Sequence, residues 1–163
     1  STTWTSSTNA NRAVGQVNLA DSTSNEWYIT GVQLEAGTTA SDFEFLPTDV
    51  NLQRCQRYYY LHATGNNQTV SEIQYRSNTQ IEAVISFPTT MRAAPSLEAA
   101  DGTDYYNISI ASGNDTFNNF TIFNPSTTNT MIYNASQVSG TEGKSFVCFT
   151  NNSASEVAFN SEL

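Results

Sequence analysis

Two short polar segments carry the side chains best suited to bind a ligand. Asp101–Tyr106 combines two carboxylates with adjacent tyrosines, and Gly113–Asn119 combines amides, a carboxylate and a phenylalanine. Amides and carboxylates hydrogen-bond the hydroxyl groups of a sugar, and a flat aromatic ring packs on the apolar face of a pyranose. We therefore predict that the ligand-binding residues lie in these two loops. They are Asp101, Asp104, Tyr105, Asn114, Asp115 and Asn118.

The same segments are also typical of ordinary turns, because Asp-Gly and Asn-Asp pairs favour tight turns whatever their function. Oxygen-rich loops suit Ca²⁺ as well, but the sequence contains no EF-hand spacing. Cys55 and Cys148 match no metal-ligand spacing either, so we predict no metal and no cofactor. The cysteines are interpreted as two buried free thiols, and a single disulfide between them stays open.

Motifs for catalysis are absent from the sequence. His62 is the single histidine, and no Gly-x-Ser-x-Gly elbow accompanies it, which disfavours a Ser-His-Asp hydrolase. No His-Glu-x-x-His motif, phosphate-binding loop or dinucleotide-binding fingerprint is present. Acidic residues such as Glu98, Asp101 and Asp104 leave open a carboxylate pair for glycoside hydrolysis. We expect a protein that is not an enzyme, with a polysaccharide depolymerase as the less favoured alternative.

Charge and hydropathy exclude two classes of partner. The net charge is -9 at pH 7, with only six lysines and arginines in the chain. Binding to phosphate backbones requires clustered basic side chains, so we expect no nucleic-acid partner. No apolar run approaches the roughly 18 residues of a membrane-spanning helix, so we expect no membrane insertion.

The composition favours an all-β fold of the sandwich or jelly-roll kind. Nine phenylalanines and eight tyrosines stand among serine, threonine and asparagine, a mixture that suits short strands with polar outer faces. In the strand predicted at 80–87, alternation directs Ile81, Ala83, Ile85 and Phe87 inward, and 76–79 has hairpin chemistry. The other predicted strands of this region are 69–75, one that begins near Leu97, 106–110, 120–123, 131–133, 146–150 and 157–159.

We predict that the first fifty residues form the last strands of a β-sandwich and a linker. The earlier strands of that sandwich would lie upstream. Val14–Leu19 alternates apolar and polar residues, and Trp27–Glu35 reads as a long strand with an irregularity at Gly31. So few strands cannot bury both faces of a sheet. We therefore expect the remaining strands of that sandwich to lie upstream in a longer parent protein.

Residues 51–60 mark the start of the second unit, predicted to run from 51 to 163. Thr48–Cys55 predicts one or two helical turns. Gln56–His62 then predicts a strand, because consecutive tyrosines favour an extended backbone. In that strand Tyr58 and Tyr60 share a face, which we expect to meet a core or a subunit interface.

Four landmarks in chain order resemble tail-fibre and other structural proteins of tailed bacteriophages. The first is GVQLEAG at Gly31–Gly37 with ASDFEFLP at Ala40–Pro47, and the second is LQRCQRYYY at Leu52–Tyr60. The third is MRAAP within Phe87–Pro95, and the fourth is FNSEL at Phe159–Leu163, similar to a DAEL ending. In that family, a similar pattern links a carbohydrate-binding-module-like sandwich to a C-terminal domain.

The resemblance implies a virion protein at the distal end of a fibre or spike, assembled in the host cytoplasm. It implies a homotrimer that contacts other virion proteins through an N-terminal part and binds a host cell-surface glycan or another receptor. A purely structural module, such as a trimerisation cap or a decoration protein of the head or baseplate, is the alternative. We interpret the shared motifs as scaffold. The Arg57 guanidinium is expected to stack on an aromatic ring or to pair with a carboxylate. The structural residues are Cys55, Arg57, Tyr58, Tyr60 and Arg92.

Overall fold

Antiparallel strands form nearly all the regular structure of the computed structural model, which describes residues 22–39, 41–110 and 113–162. Within those residues, ten strands lie in two sheets and are accompanied by one short helix. The prediction of an all-β, sandwich-like fold is confirmed. The chain divides into two units, Ser1–Phe45 and Leu46–Leu163, and all ten strands belong to the second.

The helix α1 covers Thr48–Gln56. The strands are β1 Tyr59–Thr64, β2 Thr69–Ser77, β3 Gln80–Ser86, β4 Ser96–Ala99, β5 Tyr106–Ile110, β6 Gly113–Phe117, β7 Thr121–Phe123, β8 Asn129–Asn134, β9 Ser145–Thr150 and β10 Glu156–Asn160. The strands predicted after residue 68 are all present. The prediction of a loop at 113–119 is wrong for its first part, because β6 pairs with β5 as an edge strand.

Two sheets enclose the core of the second unit. One has three strands in the order β1-β10-β4, and the other has seven in the order β6-β5-β9-β2-β3-β8-β7. The predicted hairpin joins β2 to β3, and Tyr75 lies opposite Ile81. The sheets contact each other where β1 meets β2 and where β4 meets β7. The two sheets curl around the core, and each sheet buries one of its faces.

Alternation along the strands places the core residues. In β3 the side chains of Ile81, Ala83 and Ile85 are buried, as predicted, and Phe87 is half-buried beyond the strand end. Full burial of one such aliphatic or aromatic side chain stabilises the fold by roughly 1.5–3 kcal/mol. Hydrophobic burial from both sheets therefore supplies the main stabilisation of this unit.

Large aromatic rings fill the interior between the sheets. Tyr106 packs against Phe117 and Phe120, with ring centroids 5.5 and 4.7 Å away. Its hydroxyl donates to the backbone carbonyls of Ala100 and Glu156, each at 2.8 Å. Burial raises the pKa of this phenol above its ordinary value. Because the Tyr106 hydroxyl has hydrogen-bond acceptors, a tyrosine can occupy this fully buried position, which otherwise suits a phenylalanine.

Helix α1 buries none of its residues, and all of them except the half-buried Gln56 are exposed. It begins after Pro47, whose carbonyl accepts the amide of Asn51 at 3.0 Å. Both cysteines are free. Cys148 is buried in β9, and burial raises its pKa to about 12. Cys55 is exposed on α1, so the prediction that both thiols are buried is wrong for Cys55.

In the first unit, the described residues 22–39 and 41–45 form no strand. The strand predicted at Trp27–Glu35 is absent there, and Trp27 and Leu34 are 68% and 99% exposed. An extended segment becomes a strand only with a hydrogen-bonded neighbour. The predicted strand Val14–Leu19 lies outside the described residues. The upstream carbohydrate-binding-module-like sandwich stays a prediction.

Side chains take the place of a strand ladder in this segment. The Gln33 carboxamide oxygen accepts the Glu44 amide at 2.9 Å, and the Glu35 carboxylate accepts the Ser41 amide at 2.6 Å. Hydrogen bonds from Ser41 lower the pKa of the Glu35 carboxyl. Gln33 and Glu35 in the first part of the first landmark therefore contact Glu44 and Ser41 in its second part directly.

Candidate ligand-binding site

The two segments predicted to bind a ligand meet at one end of the β5–β6 hairpin. Tyr106 pairs with Phe117 at this end of the hairpin. The segment before β5 and the segment after β6 are therefore neighbours. Before β5 the Tyr105 amide donates to the Gly102 carbonyl at 3.2 Å, which closes a turn. Asp104 in that turn has a φ of +57°, a left-handed conformation that Asp tolerates better than most residues.

Asp104 and Asn118, two of the predicted ligand-binding residues, are joined directly by a hydrogen bond. The Asn118 carboxamide oxygen accepts the Asp104 amide at 3.0 Å. Thr116 donates its hydroxyl to the Asp104 carboxylate at 2.7 Å. The Asn118 amide donates to the Gln137 side chain at 2.9 Å. Thr116 and Gln137 were not predicted, because nothing in the sequence places residue 137 beside residue 118.

Asp101 is tied to the same group through a chain of amides. The Asn119 side chain donates to Asp101 at 3.2 Å, and the Asn119 carbonyl accepts the buried Asn134 amide group at 3.0 Å. Asn134 also donates to Gln137 at 2.9 Å. We call these connected residues the polar cluster. It comprises Asp101, Asp104, Tyr105, Thr116, Asn118, Asn119, Asn134 and Gln137.

Tyr105 is half-buried, with its ring packed over Gly102, where a Cβ atom would lie 2.3 Å from a ring carbon. Its carbonyl accepts the Asn151 amide and the Ser155 hydroxyl, each at 2.7 Å. The ring therefore covers its own turn, and one of its faces is not open to a sugar. Tyr105 positions the turn that presents Thr103 and Asp104.

Asp115 lies apart from the polar cluster and faces the interior. Its carboxylate accepts the Tyr75 hydroxyl and the Ser139 amide, each at 2.7 Å. Burial and the Asp115 carboxylate together raise the pKa of Tyr75. The Tyr75 ring packs on Gly140, where a Cβ atom would lie 2.3 Å away. Asp115 thus anchors the 134–140 loop that supplies Gln137.

Asn114 is exposed on the other face of β6, opposite Ser109 of β5. Alternation places it on the same face as Thr116. Of the six predicted ligand-binding residues, the structure brings together Asp101, Asp104, Tyr105 and Asn118 in one cluster. It leaves Asn114 beside that cluster and commits Asp115 to the interior.

The polar cluster is a rigid group of hydrogen-bonded side chains. Its amides and carboxylates bond mainly to one another and to backbone groups, while Asp101 and the neighbouring Thr103 remain exposed. Within 22–39, 41–110 and 113–162, no three His, Cys, Asp or Glu side chains converge as metal ligands.

His62 is already engaged on both sides of its ring. One ring nitrogen lies 2.6 Å from the Val70 carbonyl, and the other lies 3.0 Å from the Tyr60 hydroxyl. A carbonyl only accepts, so Nε2 carries the proton and Nδ1 accepts from Tyr60. The imidazole thus serves as a bridge between strands and has no open nitrogen for base catalysis.

The residues interpreted as scaffold lie around the start of β1. The Arg92 guanidinium lies 6.0 Å from the Tyr58 ring centroid, whereas Arg57 donates to the Thr90 carbonyl at 3.3 Å. The cation over a ring is therefore Arg92 and not Arg57. Tyr60 packs into the core beside Phe159, while Tyr58 is 41% exposed.

A second surface, which sequence reasoning missed, is the outer face of the seven-stranded sheet. Here alternation directs apolar side chains outward: Val84, Phe123 and Val147 are 65%, 46% and 40% exposed. Two adjoining depressions of about 380 and 280 Å³ share Met131. The signal in the sequence was the apolar residue at an outward position of β3, β7, β8 and β9. The outer face comprises Glu72, Gln74, Arg76, Gln80, Glu82, Val84, Phe123, Met131, Tyr133, Ser145 and Val147.

Comparison with protein-family models, curated proteins and solved structures gave no match for this chain. Helix α1, the helix in the described part of the chain, is too short to cross a membrane. Function is therefore inferred from the chemistry of the two surfaces and from the landmarks in the sequence.

Proposed function

We propose that this chain is the host-attachment region of a bacteriophage tail fibre, and that it binds glycans on the bacterial surface. It acts as a virion structural protein without catalysis. The proposal rests on the four sequence landmarks together with the way the fold arranges them. The landmark residues form the scaffold, and the ligand-type side chains stand between the landmarks.

The observation that carries the proposal is a junction of three landmarks at one carbonyl group. The Arg57 carbonyl accepts the Arg92 amide at 2.7 Å and the Ser161 hydroxyl at 3.0 Å. The amide of Ser161, which is buried, also donates to the Tyr58 carbonyl at 2.8 Å. Residues from LQRCQRYYY, MRAAP and FNSEL thus depend on one another for packing. Hydrogen bonds between motif residues, as seen here, are expected when the motifs form a scaffold.

The polar cluster, in contrast, is built from segments outside all four landmarks. Its residues come from 101–105, 116–119 and 134–137, and Asn151 braces it through the Asp104 carbonyl at 2.9 Å. Binding residues commonly lie on loops that a rigid scaffold positions, because loops change without loss of the core. This division between junction and cluster supports an attachment function.

The test is adsorption of the full chain to bacterial cells, together with binding to an array of bacterial surface glycans. We expect saturable binding to at least one host and competition by the isolated glycan. If the protein binds neither cells nor glycans while it still folds and assembles, the attachment function is wrong. Release of reducing ends from a host polysaccharide would instead support a depolymerase.

A structural or assembly role is the second candidate, and one observation favours it. Helix α1 buries none of its residues, and Leu52 is 55% exposed. A subunit interface in a homotrimer would cover such a helix. Sedimentation should then give about three times the 17.8 kDa chain mass, and a monomer mass at micromolar concentration would contradict assembly.

A further inference from the structure

We propose that the outer face of the seven-stranded sheet holds a binding site for an uncharged oligosaccharide. The centre of the site is a cleft of about 280 Å³ lined by Arg76, Gln80, Phe123, Met131 and Tyr133. The inference rests on the proposed attachment function and places a sugar site away from the polar cluster.

Two aromatic rings from neighbouring strands form one wall of the cleft. The Phe123 ring of β7 meets the Tyr133 ring of β8 edge-on, with centroids 6.4 Å apart and planes at 88°. This geometry fixes the Phe123 ring, which remains 46% exposed. A fixed and exposed ring provides a flat apolar surface for the C–H face of a pyranose.

Polar side chains stand in the cleft and in the depression that adjoins it. Arg76 contacts Glu82 at 3.4 Å, and their side chains are 61% and 26% exposed. Gln80 contributes an amide to the cleft lining. A guanidinium and an amide donate to sugar oxygens, and a carboxylate accepts from sugar hydroxyls. A stacking surface is thus combined with donors and acceptors, as saccharide binding requires.

The cleft continues into the second depression, which crosses β2 and β3 and reaches Ser145 at the start of β9. The path runs across five adjacent strands of the sheet, from β7 to β9. With strands about 4.8 Å apart, this path is about 19 Å long. A surface of that length holds several linked pyranose rings, so an oligosaccharide fits better than a single sugar.

The charges of the outer face disfavour an acidic ligand. Glu72 and Glu82 lie in the second depression, and Arg76, the one arginine of the cleft, already contacts Glu82. The whole chain carries a net charge of -9. An anionic sugar would meet repulsion both locally and from the field of the protein.

The same polar residues argue against a protein partner on this face. Charged and amide side chains stand among the apolar residues of the second depression: Glu72 lies opposite Val147, and Gln74 lies opposite Glu82. The buried centre of a protein interface is depleted of charged residues. A sugar, in contrast, uses alternating apolar and hydrogen-bonding groups.

The experiment measures affinity of the full chain for neutral and acidic oligosaccharides by glycan array, followed by calorimetric titration of the hits. We expect neutral glycans to bind, and we expect Phe123→Ala and Arg76→Ala each to weaken binding about tenfold or more. Ser109→Ala is the matched control, because Ser109 is exposed on β5 of the same sheet, far from the cleft. Melting temperatures verify that each variant is folded.

Asp101→Asn, in the polar cluster, separates the two proposals. If Asp101→Asn loses glycan binding and Phe123→Ala keeps it, the outer-face site is wrong and the attachment function stands. If the unmodified chain binds no glycan and no cell, both are wrong. If Phe123→Ala lowers the sedimentation mass but leaves glycan affinity unchanged, the face is a contact between copies, and the proposal is overturned. Preference for acidic glycans would overturn it as well.

Discussion

The polar cluster and the outer face of the seven-stranded sheet differ in how their side chains are already engaged. The cluster has the richer chemistry in the sequence, yet Asp104 and Asn118 bond to each other and to Thr116 and Gln137. The outer face has a plainer sequence, but Phe123 and Val84 are open to solvent. Residue type shows which bonds a side chain can make. The fold decides which of them remain available to a ligand.

This difference has a local physical cause. Short side chains of Asn, Asp and Thr in loops reach nearby backbone groups, so they satisfy their hydrogen bonds within the loop. Outward side chains on a strand stand away from a backbone whose groups already pair across the sheet. Rigidity is thus expected in the polar cluster, and open binding capacity on the outer face.

The largest effect on stability is expected at the loop that supports the polar cluster. In Gly140→Ala, the new Cβ atom would lie 2.3 Å from the Tyr75 ring. The ring is fully buried, and the Gly140 amide is held by the Asn78 carbonyl at 2.9 Å. Neither side can move easily, so we expect a loss of about 3 kcal/mol in the free energy of unfolding, measured by urea denaturation.

Gly37→Ala is the control for that measurement. A Cβ atom at Gly37 meets only the Thr39 carbonyl oxygen, at an ordinary 3.7 Å. We expect a change within about 0.5 kcal/mol, as for surface substitutions in general. Equal effects of the two substitutions would show that the loop yields and that the polar cluster has no rigid support.

Asp115→Ala should have the next largest effect. It removes the acceptor shared by the Tyr75 hydroxyl and the Ser139 amide. A buried donor without a partner destabilises by about 1–3 kcal/mol, and we expect about 2 kcal/mol in urea denaturation. In the Tyr75→Phe background the loss should be smaller, because the hydroxyl no longer needs an acceptor. Full additivity of the two substitutions would contradict the contact.

Strands were predictable from the sequence only where their residues alternate between a buried and an exposed face, as single elements show. β3 was predictable because Ile81, Ala83 and Ile85 alternate on the buried face. β6 was missed because its sequence is composed of turn-forming residues, and only its pairing with β5 makes it a strand. Trp27–Glu35 shows the reverse case, in which a strand pattern lacks a paired neighbour in the described chain.

The contacts of the predicted site residues could not be inferred from the sequence where they join distant positions. Asp115 resembles a loop carboxylate in the sequence, and its bond to Tyr75 spans 40 positions. Gln137 joins Asn118 across 19 positions. No local pattern reports such contacts. The open positions of the outer face were hidden for a related reason, because an outward valine in a strand is usual on protein surfaces.

Alkaline pH should reduce stability through the buried tyrosines. The pKa of Tyr75 and of Tyr106 is raised in the folded state, by burial first in each case. Between the unfolded pKa near 10 and the higher folded pKa, the folded protein binds more protons, so stability falls as pH rises. Each phenol contributes up to about 1.4 kcal/mol per pH unit. Tyr75→Phe should flatten the decline in the urea midpoint above pH 10, and an unchanged slope would contradict its burial.

The smallest effect is expected on the outer face, and it tests the other half of the comparison. Val84 is 65% exposed in the middle of β3, opposite Met131 of β8. Val84→Thr keeps the β-branched shape and replaces one methyl group by a hydroxyl that water can satisfy, so the free energy of unfolding should change by less than about 0.5 kcal/mol. The buried Ile85→Thr is the companion variant, because it places a hydroxyl in the core and also removes one carbon from a packed side chain, so it should destabilise by at least about 2 kcal/mol. A large loss for Val84→Thr, dependent on protein concentration, would mean that another copy covers this face and that it is not open to a ligand. A small loss, together with the large one at Ile85, would show that β3 fills the core with one side chain and leaves the next one available for binding.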